Sequence, residues 1–239
     1  FFIANYVNLG GPTGDDPSQV QLNAEEVAAC LQYYQSLNAF FAIDADEVTT
    51  ENVLQEFIDG KTVFTIAKSD AIGTIDDAIA ERAAQEESAE EETSEGETPE
   101  EAGEDDGGYF YGIAQVPDLT GELATKGLSV TNSVVVNAYS GQRELAKSFA
   151  RYLTWDKAGD LYALADKMPA RLGVEYENPE MEVLVEQYEN SVEVPKLTDL
   201  SNYWIEMEIA FANIWQGSDV QTEVDAVAQE MTQQLQTQE

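Results

Sequence analysis

The feature that most limits how this chain can fold is an acidic tract at residues 85–108, which reads QEESAEEETSEGETPEEAGEDDGG. The tract contains no large apolar side chain and no Lys or Arg. Such a segment cannot bury enough surface to offset the entropy that it loses on ordering. The sequence therefore predicts a disordered, self-repelling insertion between two parts of a folded protein.

The composition outside this tract is that of a globular protein with an extreme charge. Apolar residues make up 43% of the chain, and 47 acidic residues against 11 basic ones give a net charge of −36. A field of this sign repels phosphate backbones and anionic lipid headgroups, which argues against nucleic acid and membrane surfaces as partners. The charge fits a neutral or cationic ligand, or a protein that works in a salty exterior.

The chain contains no His and a single Cys, and both counts exclude kinds of site. Without His there is no imidazole metal ligand and no Ser-His or Cys-His catalytic pair. With Cys30 alone, an intrachain disulfide and a multi-cysteine metal site are impossible. The stretch VAAC at residues 27–30 imitates a lipoprotein acylation box. However, it follows QLNAEE and lies in a helical pattern, so we expect no acylation there.

Hydrophobic periodicity divides the chain into helices and buried-looking strands, which predicts an α/β protein. Asn23 and Thr50 are expected helix caps, and Gly60 is an expected helix end. The predicted helices cover residues 23–37, 49–61, 74–84, 141–167 with a break near 154–156, a stretch after the loop that starts at Met168, 201–215 and 220–236. The predicted strands cover residues 61–67, 109–119 and 126–140.

Several motifs, taken in their order along the chain, resemble one known family. They are FIDGKTVFTIA, YGIAQVPDL, GLSVTNSVVVNAYSGQRELAKSFARYLT, MPAR and the helix that opens NYW, followed by an amphipathic C-terminal helix. This order resembles the extracellular solute-binding proteins of ABC sugar importers, of the maltose-binding type. The resemblance covers residues 20–239 and implies a type II periplasmic-binding-protein-like fold with two lobes.

The resemblance also implies how the chain is divided between the two lobes. Residues 1–84, 109–125 and 178–239 belong to the second lobe, with residues 85–108 as an insertion in it. Residues 126–177 return to the first lobe, most of which is missing. The chain begins FFIANY, and it maps into the middle of the family sequence. We therefore expect a C-terminal fragment that exposes apolar surface and binds sugar weakly by itself.

The function that the resemblance implies is capture of a carbohydrate, an oligosaccharide, and its delivery to the permease subunits of an ABC importer. Such a protein is not an enzyme, needs no cofactor or metal, and is expected to be a monomer. It lies on the extracellular face of the membrane as a lipoprotein, or in the periplasm, although this chain carries neither an anchor nor a signal peptide.

The candidate ligand contacts begin with two aromatic residues of the helix at residues 201–215. Tyr203, Met207, Ala210 and Ile214 recur at helical spacing and are expected to face the core, with Trp204 at the border of that stripe. From the residues alone, a Trp in the first turn of a helix more often serves packing than ligand contact. The resemblance reverses this interpretation, because in the family a sugar-stacking aromatic opens this helix. Aromatic faces pack well against the C–H surfaces of a pyranose. Trp204 is therefore the first candidate for ligand contact and Tyr203 the second.

The remaining candidates, Ser69, Asp70 and Gly127, rest on the resemblance. Ser69 and Asp70 lie in the turn after the predicted strand at residues 61–67, where the family often has a stacking Trp. A helix cap is an equally good interpretation of both. Gly127 stands where the family often has a pair of glycines before the cleft-lining strand.

Other conspicuous side chains have simpler interpretations. Glu206 and Glu208 are better explained as a solvated helix face on an acidic protein. Tyr111 and Trp215 are expected to be core residues.

Three other functions stay open. An enzyme could use paired carboxylates, but pairs arise by chance among so many acids, and no phosphate loop, nucleophile elbow or metal motif is present. A binding protein for another solute, such as a polyamine or a peptide, fits the negative charge. A protein-interaction module, or calcium capture, could use residues 85–108, although their spacing is not that of a calcium loop.

Overall fold

The computed structural model describes residues 1–41, 43, 48–93, 111–176, 181–197 and 200–236, with residues 86–93 described by their backbone alone. It has a mixed α/β structure with few strands, so the expected fold class is confirmed at that level. The helices are α1 (Glu25–Leu37), α2 (Thr50–Ile58), α3 (Ala71–Thr93), α4 (Arg143–Arg151), α5 (Leu161–Ala165), α6 (Met181–Glu189), α7 (Ser201–Trp215) and α8 (Val220–Gln236). The strands are β1 (Asn8–Gly10), β2 (Asp16–Gln21), β3 (Leu128–Ser129) and β4 (Val192–Glu193).

The chain folds into two compact units. Unit 1 comprises Phe1–Val48, Ala114–Asn132 and Val183–Glu239, and unit 2 comprises Thr49–Ile113 and Ser133–Glu182. These units differ from the expected lobes.

The difference concerns residues 49–84, which the resemblance groups with residues 1–48. In the structure they cluster with residues 133–182 instead. The turn before α3 explains this grouping, because the Asp70 carboxylate pairs with the Lys167 ammonium at 3.4 Å and the Tyr162 hydroxyl donates to the Ser69 carbonyl at 3.5 Å.

The core of unit 1 is built by α1, α7 and α8, as their periodicity predicts. The largest fully buried side chains of the three helices belong to Leu31, Ile214 and Met231. Each contributes on the order of 1.5–3 kcal/mol by leaving water. Cys30 is also fully buried in α1 as a free thiol.

The corner between α7 and α8 is closed by hydrogen bonds that satisfy helix ends. The Gly217 amide donates to the Ile214 carbonyl at 3.0 Å, and the Ser218 amide donates to the Asn213 carbonyl at 3.0 Å, which together form a Schellman motif. Gly217 has φ +102°, a conformation that favours glycine. The Asp219 carboxylate then accepts the Thr222 amide at 2.9 Å and caps α8.

Side chains at the end of α1 and just after it satisfy further carbonyl groups at the end of α7 and just beyond it. Gln35 donates through Nε2 to the carbonyls of Ile214 and Ser218, both at 2.8 Å. Asn38 donates through Nδ2 to the Trp215 carbonyl at 2.5 Å. Because the last four carbonyls of a helix have no partner within it, these contacts fix the position of α7 on α1.

Two small sheets in unit 1 position the segments that precede and follow the core helices. Strands β1 and β2 pair antiparallel, with an irregular register between Leu9 and Gly10. Strands β3 and β4 pair in parallel, with Leu128 opposite Val192. The Lys196 amide donates to the Gly14 carbonyl at 2.6 Å, which joins the segment after β4 to the loop after β1.

The long predicted strands are wrong for the described residues. Residues 61–67 form no strand, residues 111–118 form none, and only Leu128–Ser129 of the stretch 126–140 is a strand; Tyr109 lies outside the described residues. Phe64 and Val135 are 87% and 85% exposed, where buried side chains were expected. A strand needs a neighbour to complete its hydrogen bonds, and the described part of the chain supplies none to these segments.

The helices of unit 2 agree with the sequence pattern except at their ends. Thr49, rather than Thr50, caps α2, and its hydroxyl accepts the Asn52 amide at 3.1 Å. Asn23, the other expected cap, instead donates to the Asp225 carboxylate at 2.6 Å in unit 1. The expected break in the helix of residues 141–167 is confirmed, because a π-helical turn spans Tyr152–Asp156.

The prediction of disorder is wrong for the first part of the acidic tract, because α3 continues to Thr93 and includes residues 85–93. Five of these nine positions are Glu, which favours helix, and a helix completes its hydrogen bonds within its own backbone. The rest of the tract, residues 94–108, lies outside the described residues.

Candidate functional site

A pocket in unit 1 has a cavity volume of about 670 Å³, within the size range of small-molecule sites. Three walls enclose it: the chain before and after β1, the chain around β4, and one face of α7. The lining residues are Phe1, Ile3, Ala4, Val7, Asn8, Leu9, Gly11, Pro12, Thr13, Gly14, Leu128, Val192, Glu193, Val194, Pro195, Lys196, Tyr203, Trp204, Met207, Glu208 and Phe211.

The loop wall of the pocket depends on glycine. Gly10 has φ +85°, and a Cβ there would lie 2.5 Å from the carbonyl carbon of Gly14. Only glycine permits this close approach, which brings Pro12 and Thr13 onto the pocket.

The two aromatic candidates lie side by side on the α7 wall. Tyr203 belongs to the core stripe and is 6% exposed, whereas Trp204 is one position further round the helix and is 44% exposed. Their ring centroids are 4.9 Å apart, with the planes at 65°. Trp204 therefore contacts Tyr203 on one side and lines the pocket with a side chain that is still partly accessible.

Trp215, at the other end of α7, is a core residue, as the sequence predicts. It is 7% exposed, and its ring centroid lies 5.1 Å from that of Tyr34. Tyr34 also meets Phe211 edge to face at 5.5 Å, so the α1–α7 contact is aromatic.

Tyr203 brings a neutral hydroxyl group to the pocket. Burial raises the pKa of its phenol to about 12, so the group stays protonated across the physiological range. Within the part of the chain that the structure describes, the hydroxyl makes no hydrogen bond. The hydroxyl oxygen is not among the buried side-chain atoms that lack a partner, so it keeps some contact with solvent and is open to a hydrogen bond from a ligand.

Three charged side chains line the pocket. Lys196 and Glu193 approach each other at 3.8 Å, and both are largely exposed, so this pair contributes little to stability. Glu208 is exposed on α7, four residues after Trp204 and on the same side of the helix. Glu206, two residues earlier, is half-buried and does not line the pocket.

Gly127, the third candidate of unit 1, lies beside the pocket rather than on it. Its carbonyl accepts the Val192 amide at 2.9 Å and so helps to join β3 to β4. A Cβ at Gly127 would lie 3.0 Å from Nε2 of Gln187. The next residue, Leu128, does line the pocket.

Ser69 and Asp70 belong to unit 2, where they contact neighbours within that unit. Asp70 pairs with Lys167, and the Ser69 carbonyl accepts the Tyr162 hydroxyl. Burial, followed by the charges of Asp166, Asp76 and Asp70, raises the pKa of Tyr162 to about 12.

Tyr111, expected in the core, is half-buried in unit 2. Its hydroxyl donates to the Asp76 carboxylate at 2.7 Å, and its ring lies edge-on to Phe57 at 6.5 Å.

The sequence missed two of the three pocket walls. The composition of the loop LGGPTGDDPS at residues 9–18 indicates only a turn-rich connection, and nothing in the chain around β4 suggests a site. The glycines and Pro12 could have indicated a tightly folded loop, but its partner segment lies far along the chain. Periodicity does not report such contacts.

The described residues contain neither a candidate metal-binding cluster nor a candidate membrane-spanning helix. Their acidic and cysteine side chains form no cluster of three suited to a metal ion. None of their helices combines the length and the apolar character needed to cross a bilayer.

Comparison with known proteins assigns the chain to no family. No protein-family model matches it, and no curated protein shows significant similarity to it.

Proposed function

We propose that this protein is the substrate-binding component of an ABC importer, and that it captures a carbohydrate for delivery to a membrane permease. The observation that carries the proposal is the Trp204 ring, which is half-exposed on the wall of a pocket and braced by Tyr203. A half-exposed indole in a concave site suits the C–H face of a pyranose, because the two surfaces are flat, apolar and of similar size.

Polar groups next to Trp204 complement this apolar face. The Tyr203 hydroxyl can donate to or accept from a sugar hydroxyl, and the Glu208 carboxylate can accept from one. Hydrogen bonds to a charged group are stronger than those between neutral groups, so Glu208 is expected to orient the ring. The proposal includes no catalytic step.

The finer features of the proposal rest on the resemblance. They are a type II two-lobe fold, closure of the lobes over the ligand, permease subunits as partners, a monomeric state and a position on the extracellular face as a lipoprotein. The chain divides into two compact units, as a two-lobe protein would, but residues 49–84 belong to the other unit than the resemblance implies.

The experiment that tests the proposal is calorimetric titration with a panel of neutral oligosaccharides, using the unmodified protein, Trp204→Ala and Trp215→Ala. If the Trp204 indole stacks on the sugar, Trp204→Ala weakens binding by about 1–3 kcal/mol, or roughly 5- to 150-fold. The free energy of unfolding of the Trp204→Ala variant falls by less than the roughly 3–5 kcal/mol that removing a buried aromatic side chain costs.

Trp215→Ala is the matched control on the same helix. Because Trp215 is buried against Tyr34, this variant loses stability but keeps the dissociation constant of the protein that remains folded. If Trp204→Ala binds every sugar normally and unfolds easily, the indole is a packing residue and the proposal fails.

A second candidate function is supported by the carboxylates of the pocket. Glu208 and Glu193 line it together with Trp204, and carboxylates beside an aromatic face can hold an organic cation. Titration with a polyamine such as spermidine distinguishes the two functions. Cation binding weakens steeply with added NaCl, whereas binding of a neutral sugar does not.

A further inference from the structure

The pocket is mostly apolar, and this limits how much of a carbohydrate it can accept. Its walls include Phe1, Ile3, Val7, Leu9, Pro12 and Met207. A sugar carries hydroxyl groups around its whole edge. Each hydroxyl that enters a site without a hydrogen-bonding partner loses its hydration uncompensated.

Most polar side chains on the pocket already have partners. Asn8 accepts the Gly11 amide through Oδ1 at 3.2 Å, and the Thr13 hydroxyl donates to the Asp15 carboxylate at 2.5 Å. Lys196 pairs with Glu193 at 3.8 Å. The contacts of Asn8 and Thr13 hold the loop in place, and all three contacts reduce what these groups can offer to a ligand.

Two polar groups of α7 make no hydrogen bond within the described residues, the Tyr203 hydroxyl and the Glu208 carboxylate. Tyr203 is more than nine-tenths buried and Glu208 is exposed, and Trp204 lies between them in the sequence. The groups that can hydrogen-bond to a ligand therefore lie mainly on the α7 wall. The two walls formed by the other segments offer mainly apolar surface.

We propose that the ligand is a carbohydrate bearing an apolar substituent, an aryl or short acyl group, which occupies the apolar walls while the sugar ring lies on Trp204. This inference rests on the proposed function and deepens it by naming the substrate class. The Tyr203 hydroxyl meets the linking oxygen or carbonyl of the substituent, and Glu208 accepts from a sugar hydroxyl. A simple sugar fills only the α7 side.

The test compares matched ligands on the unmodified 239-residue chain. Dissociation constants are measured by Trp fluorescence or ligand-observed NMR for methyl and phenyl glycosides of the same sugar, and for benzyl alcohol as the apolar group alone. The phenyl glycoside is expected to bind at least tenfold more tightly than either of the other two.

Each other result overturns a stated claim. If methyl and phenyl glycosides bind equally, the substituent has no site and this inference is wrong, while carbohydrate capture stands. If benzyl alcohol binds as tightly as the phenyl glycoside and the methyl glycoside does not bind, the proposed carbohydrate function is wrong. If none of the three binds this chain, this inference is wrong, because the pocket that it names lies wholly within the chain.

A pair of valine variants locates the substituent. Val7 and Val20 are both partly buried and packed on the core of unit 1, but only Val7 lines the pocket. Val7→Trp should fill the apolar wall and reduce the phenyl-to-methyl preference to below threefold, without weakening methyl glycoside binding. Val20→Trp should keep the preference. Loss of the preference in Val20→Trp alone would contradict the assignment.

Discussion

Trp204 and Trp215 show how two identical side chains on one helix acquire different roles. They are eleven positions apart, which is close to three full turns, so they lie on nearly the same line of α7. Trp215 meets Tyr34 of α1 and is buried, whereas Trp204 borders the pocket and is half-exposed. The role of each indole is set by the segment that faces it.

The first prediction at this scale concerns the Tyr203 phenol. Its folded pKa of about 12 lies above the ordinary value of 10.0, because burial disfavours the phenolate. Between these values the unfolded chain releases the proton while the folded protein keeps it. The contribution of this phenol to the free energy of unfolding is therefore constant below pH 10. It decreases as the pH rises towards 12, by about 1.4 kcal/mol per unit of difference between the two pKa values.

Tyr203→Phe removes this contribution, and thermal melts between pH 8 and pH 12 measure it. The variant should lose less stability over pH 10–12 than the unmodified protein does. Tyr162→Phe in unit 2 is the parallel case, since burial also raises the pKa of Tyr162 to about 12. Identical alkaline slopes in the unmodified protein and Tyr203→Phe would contradict the burial of this phenol.

The α7–α8 corner is where the local sequence and the fold of unit 1 agree most closely. Gly217 ends α7, and Asp219 starts α8 two residues later. Hydrogen bonds from the Thr222 side chain and then its backbone amide hold the pKa of Asp219 below its usual value, which is the expected result of capping. The short corner places α7 and α8 as neighbours in the core.

Gly217→Ala tests this corner. Nothing lies within 4 Å of a Cβ at this position, so the cost comes from the positive φ alone. The variant should lose about 1–2 kcal/mol of unfolding free energy, measured by urea titration.

The control for this variant is Gly121→Ala in the same unit. That position also has open space around a Cβ, but its φ lies outside the positive range. This control should change stability by less than about 0.5 kcal/mol. Equal losses in the two variants would mean that the conformation of Gly217 contributes nothing.

The whole molecule carries a charge of −36, which opposes its own compaction. Added salt shortens the screening length from about 8 Å at 0.15 M to about 3 Å at 1 M and so reduces this repulsion. The melting temperature should therefore rise steadily with NaCl up to 1 M. A flat or falling melting temperature would show that repulsion does not limit stability.

Unit 2 exposes large apolar side chains, in agreement with the expectation that this chain presents apolar surface. Phe64, Val135 and Tyr139 are among those exposed over most of their area. The protein should therefore bind an apolar dye such as ANS at neutral pH. Phe64→Ser with Val135→Ser should reduce ANS fluorescence while changing stability by less than about 1 kcal/mol.

Leu31→Ala is the contrasting change, since Leu31 is fully buried in unit 1. It should cost about 2–5 kcal/mol without reducing the ANS signal of the folded protein. If the double Ser variant destabilises the protein as much as Leu31→Ala does, Phe64 and Val135 are packed rather than exposed.

The sequence by itself determined the helices of unit 1 and the stripe of α7 that faces the core. An amphipathic helix completes its hydrogen bonds within its own backbone, so a repeat at 3.6 residues is enough to predict both its existence and its buried face. The positions of Tyr203, Met207, Ala210 and Ile214 in the core followed from spacing alone.

Only the tertiary structure decided which of the predicted strands pair and which segments enclose the pocket. A strand at residues 61–67 or 126–140 depends on hydrogen bonds from another segment, and the described chain provides them at Leu128–Ser129 alone. The pocket likewise joins residues near positions 1–14, 192–196 and 203–211. Contacts between such distant segments leave no local period in the sequence, because they depend on how the core helices bring those segments together.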